Sequence, residues 1–156
     1  MEAKTISTTI MVAKMEELSA DDAELVNQAI AQTCKSYSPY SKFNVGAALR
    51  LANGNIVVGC NQENAAFGVT MCAERSALFA AGAKCPEVAV TAIAIAARDA
   101  EGLLREPISP CGVCRQAMVE TETRYNRRLR ILLYGTEKIY VIDGIAELMP
   151  LTFSNF

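Results

Sequence analysis

The stretch VAVTAIAIAA, residues 88–97, decides the fold, because it is nearly free of polar side chains over the length of a strand. A short continuous apolar run of this kind is typical of a strand that is covered on both faces. We therefore expect helices to pack on both sides of the sheet that contains it.

The segments on either side of this strand predict the rest of the fold. Further strands are predicted at Phe43–Leu51, Asn55–Asn61, Leu129–Tyr134 and Ile139–Ile142, the first two joined by a hairpin at Asn53-Gly54. Helices are predicted from the capping residues at 19–22 to Cys34, from Cys72 to Ala83 and from Pro110 to about Thr123, with a last helical turn at Ile145–Leu148. This order predicts an α/β fold in which a mixed five-stranded sheet lies between helices, in three layers.

The size and charge of the chain narrow its function. Its 156 residues fit one domain, which we assign to residues 18–156, and we expect residues 1–17 to form a flexible extension. A net charge of −2 provides no field that would attract nucleic acid or an anionic membrane. No stretch resembles a targeting peptide or a membrane span, so we expect a cytoplasmic protein with a small neutral substrate.

The cysteines carry the strongest chemical signal. The chain has six cysteines and no histidine, so any transition-metal site must rest on thiolates and carboxylates. Cys111 and Cys114 form a C-x-x-C pair at a predicted helix start, where both sulfurs can reach one ion, and Cys72 at another helix start can supply a third ligand. Three protein ligands leave a fourth position for water, as in catalytic zinc sites, and Glu74 follows closely enough to handle that water's proton.

These residues resemble the cytidine deaminase family, in its small homotetrameric class with an all-cysteine zinc site. The matching motifs are Tyr37-Ser38-Pro39-Tyr40-Ser41, Phe43-Asn44-Val45-Gly46-Ala47-Ala48, Gly59-Cys60-Asn61-Gln62-Glu63-Asn64, Cys72-Ala73-Glu74-Arg75 and Ser109-Pro110-Cys111. The resemblance implies the three-layer fold of that family, one Zn²⁺ per chain, and hydrolytic deamination of cytidine and deoxycytidine in pyrimidine salvage. It also implies that Glu74 serves in turn as base and acid.

The resemblance further implies the substrate contacts. Phe43 would contact the pyrimidine, the backbone around Ala73 would receive the base, and Asn61 and Glu63 would bind the ribose hydroxyls. Alternate residues at the end of a strand point to the same face, which independently favours the last two assignments. Asn61 and Glu63 could instead be two polar residues of a turn.

Arg75 and two aromatic residues receive further assignments. Arg75 would offset the negative charge of the thiolates, although it could equally be a solvent-facing helix residue. Phe67, which stands where many family members have tyrosine, and Phe153 match positions that reach into neighbouring subunits in the family. The apolar tail, with Phe153 and Phe156, also points to a partner surface, and the alternative is a tail that folds back on its own domain.

Three other functions remain as alternatives. A structural zinc module would require a fourth ligand, and Cys34, Cys60 and Cys85 are conceivable ones. A deaminase of nucleic acid is suggested by the basic cluster Arg124, Arg127, Arg128 and Arg130, which a solvated surface explains equally well. The third is a deaminase of a cytosine nucleoside analogue such as blasticidin.

Overall fold

The computed structural model describes residues 1–154, so Phe156 of the predicted partner surface lies outside the described residues. Its strands are β1 (Met11–Ala13), β2 (Asn44–Leu51), β3 (Ile56–Cys60), β4 (Val90–Asp99), β5 (Gly102–Leu103), β6 (Arg130–Tyr134) and β7 (Ile139–Asp143). Its α-helices are α1 (Ala20–Thr33), α2 (Ala73–Lys84) and α3 (Gly112–Tyr125), and short 3₁₀ turns occur at Met15–Glu17, Phe67–Val69 and Ile145–Glu147.

One mixed sheet organises the described chain. Its strand order is β1-β7-β6-β4-β2-β3, with β5 paired to β4 at one end. The pairing of β4 with β6 is parallel, and the other strand pairs are antiparallel. The predicted mixed sheet of five strands is therefore confirmed at its centre, and the two short strands β1 and β5 extend it to seven within residues 1–154.

The two added strands have a common physical origin. They are three and two residues long, too short to show a hydrophobic period. Each is defined by the neighbour that it pairs with, β7 for the first and the end of β4 for the second. The segment predicted as an N-terminal extension thus supplies an edge strand at Met11–Ala13, and Thr9 N donates to the carboxylate of Glu147 at 2.6 Å. The flexibility of residues 1–17 stays a prediction.

Helices cover both faces of the sheet, as the apolar stretch 88–97 predicts. Helix α1 packs on one face through Leu25, Val26 and Ala29, where it meets the alanines at even positions of β4. Helices α2 and α3 cover the other face, where they meet Ile93 and Ile95. Since both faces of β4 are buried, an apolar side chain is favoured at every position in its middle.

No helix in the described part of the chain has the length and apolarity required to cross a bilayer.

Candidate active site and metal centre

Three cysteines meet at the N-termini of α2 and α3. Cys72 is the N-cap of α2, Cys111 is the N-cap of α3, and Cys114 lies buried in the first turn of α3. Their sulfur atoms all lie within 4.8 Å of one another. The Sγ–Sγ distance is 3.9 Å between Cys72 and Cys111 and 3.5 Å between Cys111 and Cys114.

This cluster fits a zinc ion. Tetrahedral bonds of about 2.3 Å from zinc to sulfur place neighbouring sulfurs about 3.8 Å apart, close to the distances observed. The two helix N-termini add partial positive charge on the side of the thiolates. The donor set is soft and negatively charged, as zinc prefers.

Hydrogen bonding within the cluster polarises the thiols. Contact with Cys114, and then with Arg75, lowers the pKa of the Cys72 thiol to about 5, against the opposing effect of partial burial. The pKa of Cys114 is raised, first by its hydrogen bond to Cys72 and then by burial. The two pKa shifts run in opposite directions because the two sulfurs share a hydrogen bond.

Arg75 faces the cluster. Its Nη2 lies 3.6 Å from Sγ of Cys72, and among the described residues its buried Nε has no hydrogen-bond partner. Hydrogen bonding to the Cys72 sulfur raises the pKa of the guanidinium. Arg75 is intermediate in exposure, and its role in offsetting the charge of the thiolates stays a prediction.

Glu74 is the buried acid of the site. Only 4% of its surface is exposed, and it lines the same cavity as Cys72 and Cys111. Burial raises the pKa of the Glu74 carboxyl, and the negative charge of Cys72 acts in the same direction. A carboxyl with a raised pKa is suited to accept and return a proton near neutral pH.

The cavity beside the cysteines has a volume of about 200 Å³. Its lining includes Asn61, Glu63, Ala73, Glu74, Ile108 and Ser109, together with two of the cysteines. A more exposed cavity of about 400 Å³ shares Glu63 and Thr70 with it and adds Tyr40, Ser41 and Phe67. The predicted metal end and the predicted sugar end thus line adjoining cavities.

The sugar end is held by a hydrogen-bonded loop. Glu63 Oε2 accepts the backbone amides of Tyr40 and Ser41 at 2.9 and 3.2 Å. These contacts, and above all the Ser41 hydroxyl, hold the pKa of Glu63 below its ordinary value. Asn61 Oδ1 accepts the amide of Val45 at 2.8 Å, and its Nδ2 donates to the carbonyl of Phe43 at 2.9 Å. These contacts hold both side chains against the backbone of residues 40–45.

Three aromatic residues assigned from the sequence lie farther out. Phe43 is tied to Asn61 through its backbone, and its ring lines neither cavity. Phe67 is 80% exposed and meets Tyr40 edge to face, with ring centroids 6.5 Å apart. Phe153 is 70% exposed, and its carbonyl accepts Gln116 Nε2 at 2.8 Å.

A glycine brings the metal end and the sugar end together. A Cβ on Gly59 of β3 would lie 2.6 Å from both the Ala73 carbonyl and the Ala77 amide. The first turn of α2 therefore rests directly on the β3 backbone, two residues before Asn61. Glycine at this position makes the close approach possible, and the predictions from sequence assigned it no part in the site.

Sequence reasoning also gave no role to the segment Leu103–Glu106, which leads to Ile108 in the cavity wall. The amides of Thr136 and Glu137 donate to the carbonyls of Leu104 and Arg105. A Cβ on Gly135 would lie 2.4 Å from the latter carbonyl. The segment is therefore packed onto the turn between β6 and β7, which no local sequence signal indicates.

Two alternatives are answered by where the side chains lie. Cys34, Cys60 and Cys85, the conceivable fourth ligands, lie outside the described three-cysteine cluster. In the basic cluster, Arg130 pairs with Asp22 at 2.9 Å, Arg128 pairs with Asp143 at 3.4 Å, and Arg124 donates to the Pro86 carbonyl. These three arginines behave as residues of a solvated surface.

Comparison with known proteins relates the chain to one family. The family model described as "Cytidine and deoxycytidylate deaminase zinc-binding region" matches residues 19–126. The cytidine deaminase of Sporosarcina psychrophila is 40% identical over 134 residues, which cover 83% of this chain and 92% of that protein. The cytidine deaminase of Halalkalibacterium halodurans is 44% identical over 100 residues, or 64% and 71% of the two chains.

A solved structure agrees in fold. The crystal structure of cytidine deaminase from Burkholderia pseudomallei superposes with a TM-score of 0.71 at 38% identity. The match covers 83% of this chain and 97% of that one. The range of the family model, residues 19–126, includes both helix N-termini that carry the cysteines.

Proposed function

Since the chain belongs to the cytidine and deoxycytidylate deaminase family, we propose that it deaminates cytidine and deoxycytidine to uridine and deoxyuridine, releasing ammonia. The observation that carries the proposal is one cavity lined both by Cys72, Cys111 and Glu74 and by Asn61 and Glu63. A metal-binding cluster, a buried acid and polar groups for a sugar lie within reach of one small molecule. Such convergence of polar groups in one pocket is typical of an active site.

Zinc is the cofactor of the family, and we assign Cys72, Cys111 and Cys114 as the ligands of one ion per chain. When bound, zinc supplies the Lewis acidity that makes water a nucleophile at neutral pH. Arg75, 3.6 Å from the Cys72 sulfur, offsets part of the negative charge of three thiolates. The N-termini of α2 and α3 offset more of it.

Glu74 is proposed to move the protons. It takes the proton of the attacking water and delivers it to N3 of the cytosine as oxygen bonds to C4. It then takes the remaining proton from the hydroxyl now on C4 and passes it to the exocyclic amine, so that the C4–N bond breaks, C4 becomes a carbonyl and ammonia leaves. Its burial supports this role, because it brings the pKa of the carboxyl closer to the working pH.

Nucleoside recognition is assigned to Phe43, Ala73, Asn61 and Glu63. The backbone around Ala73 would receive the base, and Phe43 would contact it. Glu63 is held by two backbone amides before a sugar arrives. Asn61 uses one N–H on the Phe43 carbonyl, and a side-chain amide has a second N–H to offer a hydroxyl.

We further propose a cytoplasmic homotetramer with shared active sites. Phe67 and Phe153 are largely exposed, and burying such rings against a neighbouring chain is favourable. The tail backbone follows its own α3 through Gln116, while Leu151 and Phe153 keep most of their side chains in solvent. This combination supports a tail whose backbone is held by its own chain and whose apolar side chains are buried by a neighbouring chain.

The direct test is the absorbance of cytosine. Pure zinc-loaded protein mixed with cytidine should bleach the cytosine band and release ammonia in equal amounts. A chelator should stop the reaction, and added Zn²⁺ should restore it. Binding of cytidine without bleaching, in protein shown to contain zinc, would contradict the proposed reaction. Parallel assays with deoxycytidine and with blasticidin separate the proposed substrates from the analogue.

A further inference from the structure

Arg115 makes two contacts that the proposed chemistry does not use. It follows Cys114 in the first turn of α3, and its side chain is half-buried. Its Nε donates to the Pro110 carbonyl at 2.9 Å, and its Nη1 donates to the Leu148 carbonyl at 2.7 Å. One guanidinium thus bridges two segments that are 38 residues apart.

The first contact lies on the metal-binding turn, the segment Pro110–Cys114. The Pro110 carbonyl belongs to the peptide that enters Cys111, and Pro110 is buried. The first backbone hydrogen bond of α3 closes from the Arg115 amide to Cys111, so the helix leaves the Pro110 carbonyl to other donors. The Arg115 side chain is such a donor, and it holds the peptide that leads into Cys111.

The second contact lies where the C-terminal tail, residues 149–154, leaves the domain. Leu148 ends the 3₁₀ turn Ile145–Glu147 and packs against the core. The next residue of α3, Gln116, holds the Phe153 carbonyl at 2.8 Å. Adjacent residues of α3 therefore contact the residue just before the tail and a residue near its described end, and Arg115 also contacts the metal-binding turn.

The position of this arginine is itself unusual. A positive charge in the first turn of a helix is opposed by the helix dipole, and α3 has no acidic residue in that turn. A guanidinium presents donors in a rigid fork, which suits two carbonyl oxygens at once, whereas a lysine ammonium is a single point. Two charge-assisted hydrogen bonds offset the unfavourable interaction of this charge with the helix dipole.

We propose that Arg115 is a positioning residue that couples the C-terminal tail to the metal-binding turn, so that an ordered tail slows the loss of zinc. The inference rests on the proposed zinc site but requires no deaminase activity. If Phe153 completes a neighbouring active site, the same bridge connects assembly to metal retention.

The test measures zinc release from the full-length, zinc-loaded protein to a chromogenic chelator. Arg115→Met and Arg115→Lys should release zinc about 10- to 100-fold faster, by analogy with the loss of metal affinity when a group that orients a ligand is removed. Arg124→Met is the matched control, because Arg124 lies on the same helix and also donates to a proline carbonyl, that of Pro86. Its release rate should stay within about twofold of the unaltered protein. Equal rates in the Arg115 and Arg124 variants would overturn the proposal.

Coupling is tested by truncation after Pro150 in each background. Truncation should speed zinc release in the unaltered protein and in Arg124→Met, but add little in Arg115→Met. Fully additive effects would mean that the tail and the turn are independent, which also overturns the proposal.

A second measurement does not depend on a folded Arg115 variant. Amide hydrogen exchange at residues 111–116 should rise when the tail is truncated in the otherwise unaltered zinc-loaded chain, and unchanged exchange there counts against the coupling. Neither readout uses turnover, so a protein that fails to deaminate cytidine could still pass both tests. Conversely, an active deaminase could fail them.

Discussion

The two ends of the candidate site are built differently. At the metal end, Cys114 is fully buried and Glu74 is 4% exposed, and both lie in the first turns of helices that pack on the sheet. At the proposed sugar end, the Glu63 carboxylate accepts the backbone amides of Tyr40 and Ser41, which lie in a loop, and Phe67 is 80% exposed. The proposed reactive groups therefore lie on helices, where placement is accurate, whereas the proposed recognition groups lie on loops. The three cysteines of the proposed metal end come from one chain, and the proposed sugar end has exposed aromatic surface at Phe67.

The largest expected effect comes from removing a thiolate. Cys72→Ala, Cys111→Ala and Cys114→Ala should each abolish turnover and lose bound zinc, because two remaining sulfurs do not make a catalytic zinc site. Elemental analysis, compared with about one zinc per chain in the unaltered protein, measures this. Cys34→Ala, which changes an exposed cysteine outside the cluster, is the control. Full zinc content in any of the three variants would remove that cysteine from the ligand set.

Glu74→Gln should separate chemistry from metal binding. The amide keeps the shape of the buried side chain but cannot accept the proton, so kcat should fall by about 10²–10⁴-fold while zinc stays bound. Steady-state kinetics and elemental analysis on one preparation measure kcat and zinc content together. Glu120→Gln, farther along α3, should behave like the unaltered protein. Near-normal turnover in Glu74→Gln would mean that another group carries the proton.

Glu63→Ala should sharpen the contrast by affecting recognition more than chemistry. Losing a hydrogen bond to a charged group costs about 1.5–3 kcal/mol, roughly a 10- to 150-fold loss in kcat/KM for cytidine. The loss should be smaller for a cytosine nucleoside that lacks the 3′-hydroxyl. Glu101→Ala, on the β4–β5 turn, is the control. Equal losses on both nucleosides would indicate a folding defect rather than a lost sugar contact.

Truncation after Pro150 should have the smallest effect, confined to the sugar end. Loss of the Phe153 ring should raise KM for cytidine by about 2- to 12-fold, since an aromatic contact is worth about 0.5–1.5 kcal/mol, with every cysteine still present. Sedimentation tests the tetramer. Refolding the truncated chain with Glu74→Gln chains tests sharing, because mixed tetramers should regain activity beyond that of the parents alone. A fully active monomer would contradict shared sites.

The elements predicted from sequence were those with a strong local pattern. The five central strands and three helices follow from hydrophobic period, caps and turn residues. Helices α2 and α3 begin within two residues of the predicted starts at Cys72 and Pro110, with Cys72 and Cys111 as their N-caps. Strands β1 and β5 were not predicted, because each forms only by pairing with a neighbouring strand. The roles of Gly59, Gly135 and Arg115 were not predicted, because each depends on contact with a segment that is distant in the chain.

The sequence by itself determined the chemistry that is local. A C-x-x-C at a helix start brings two sulfurs to one turn, and an acid two residues after Cys72 stays near it, because helix geometry alone sets those separations. Only the tertiary structure decided that the two helix starts meet, that α2 rests on the bare backbone of Gly59, and that Arg115 ties the metal-binding turn to the tail. These contacts join segments separated by long stretches of chain, and their distances are set by the packing of helices on both faces of the sheet.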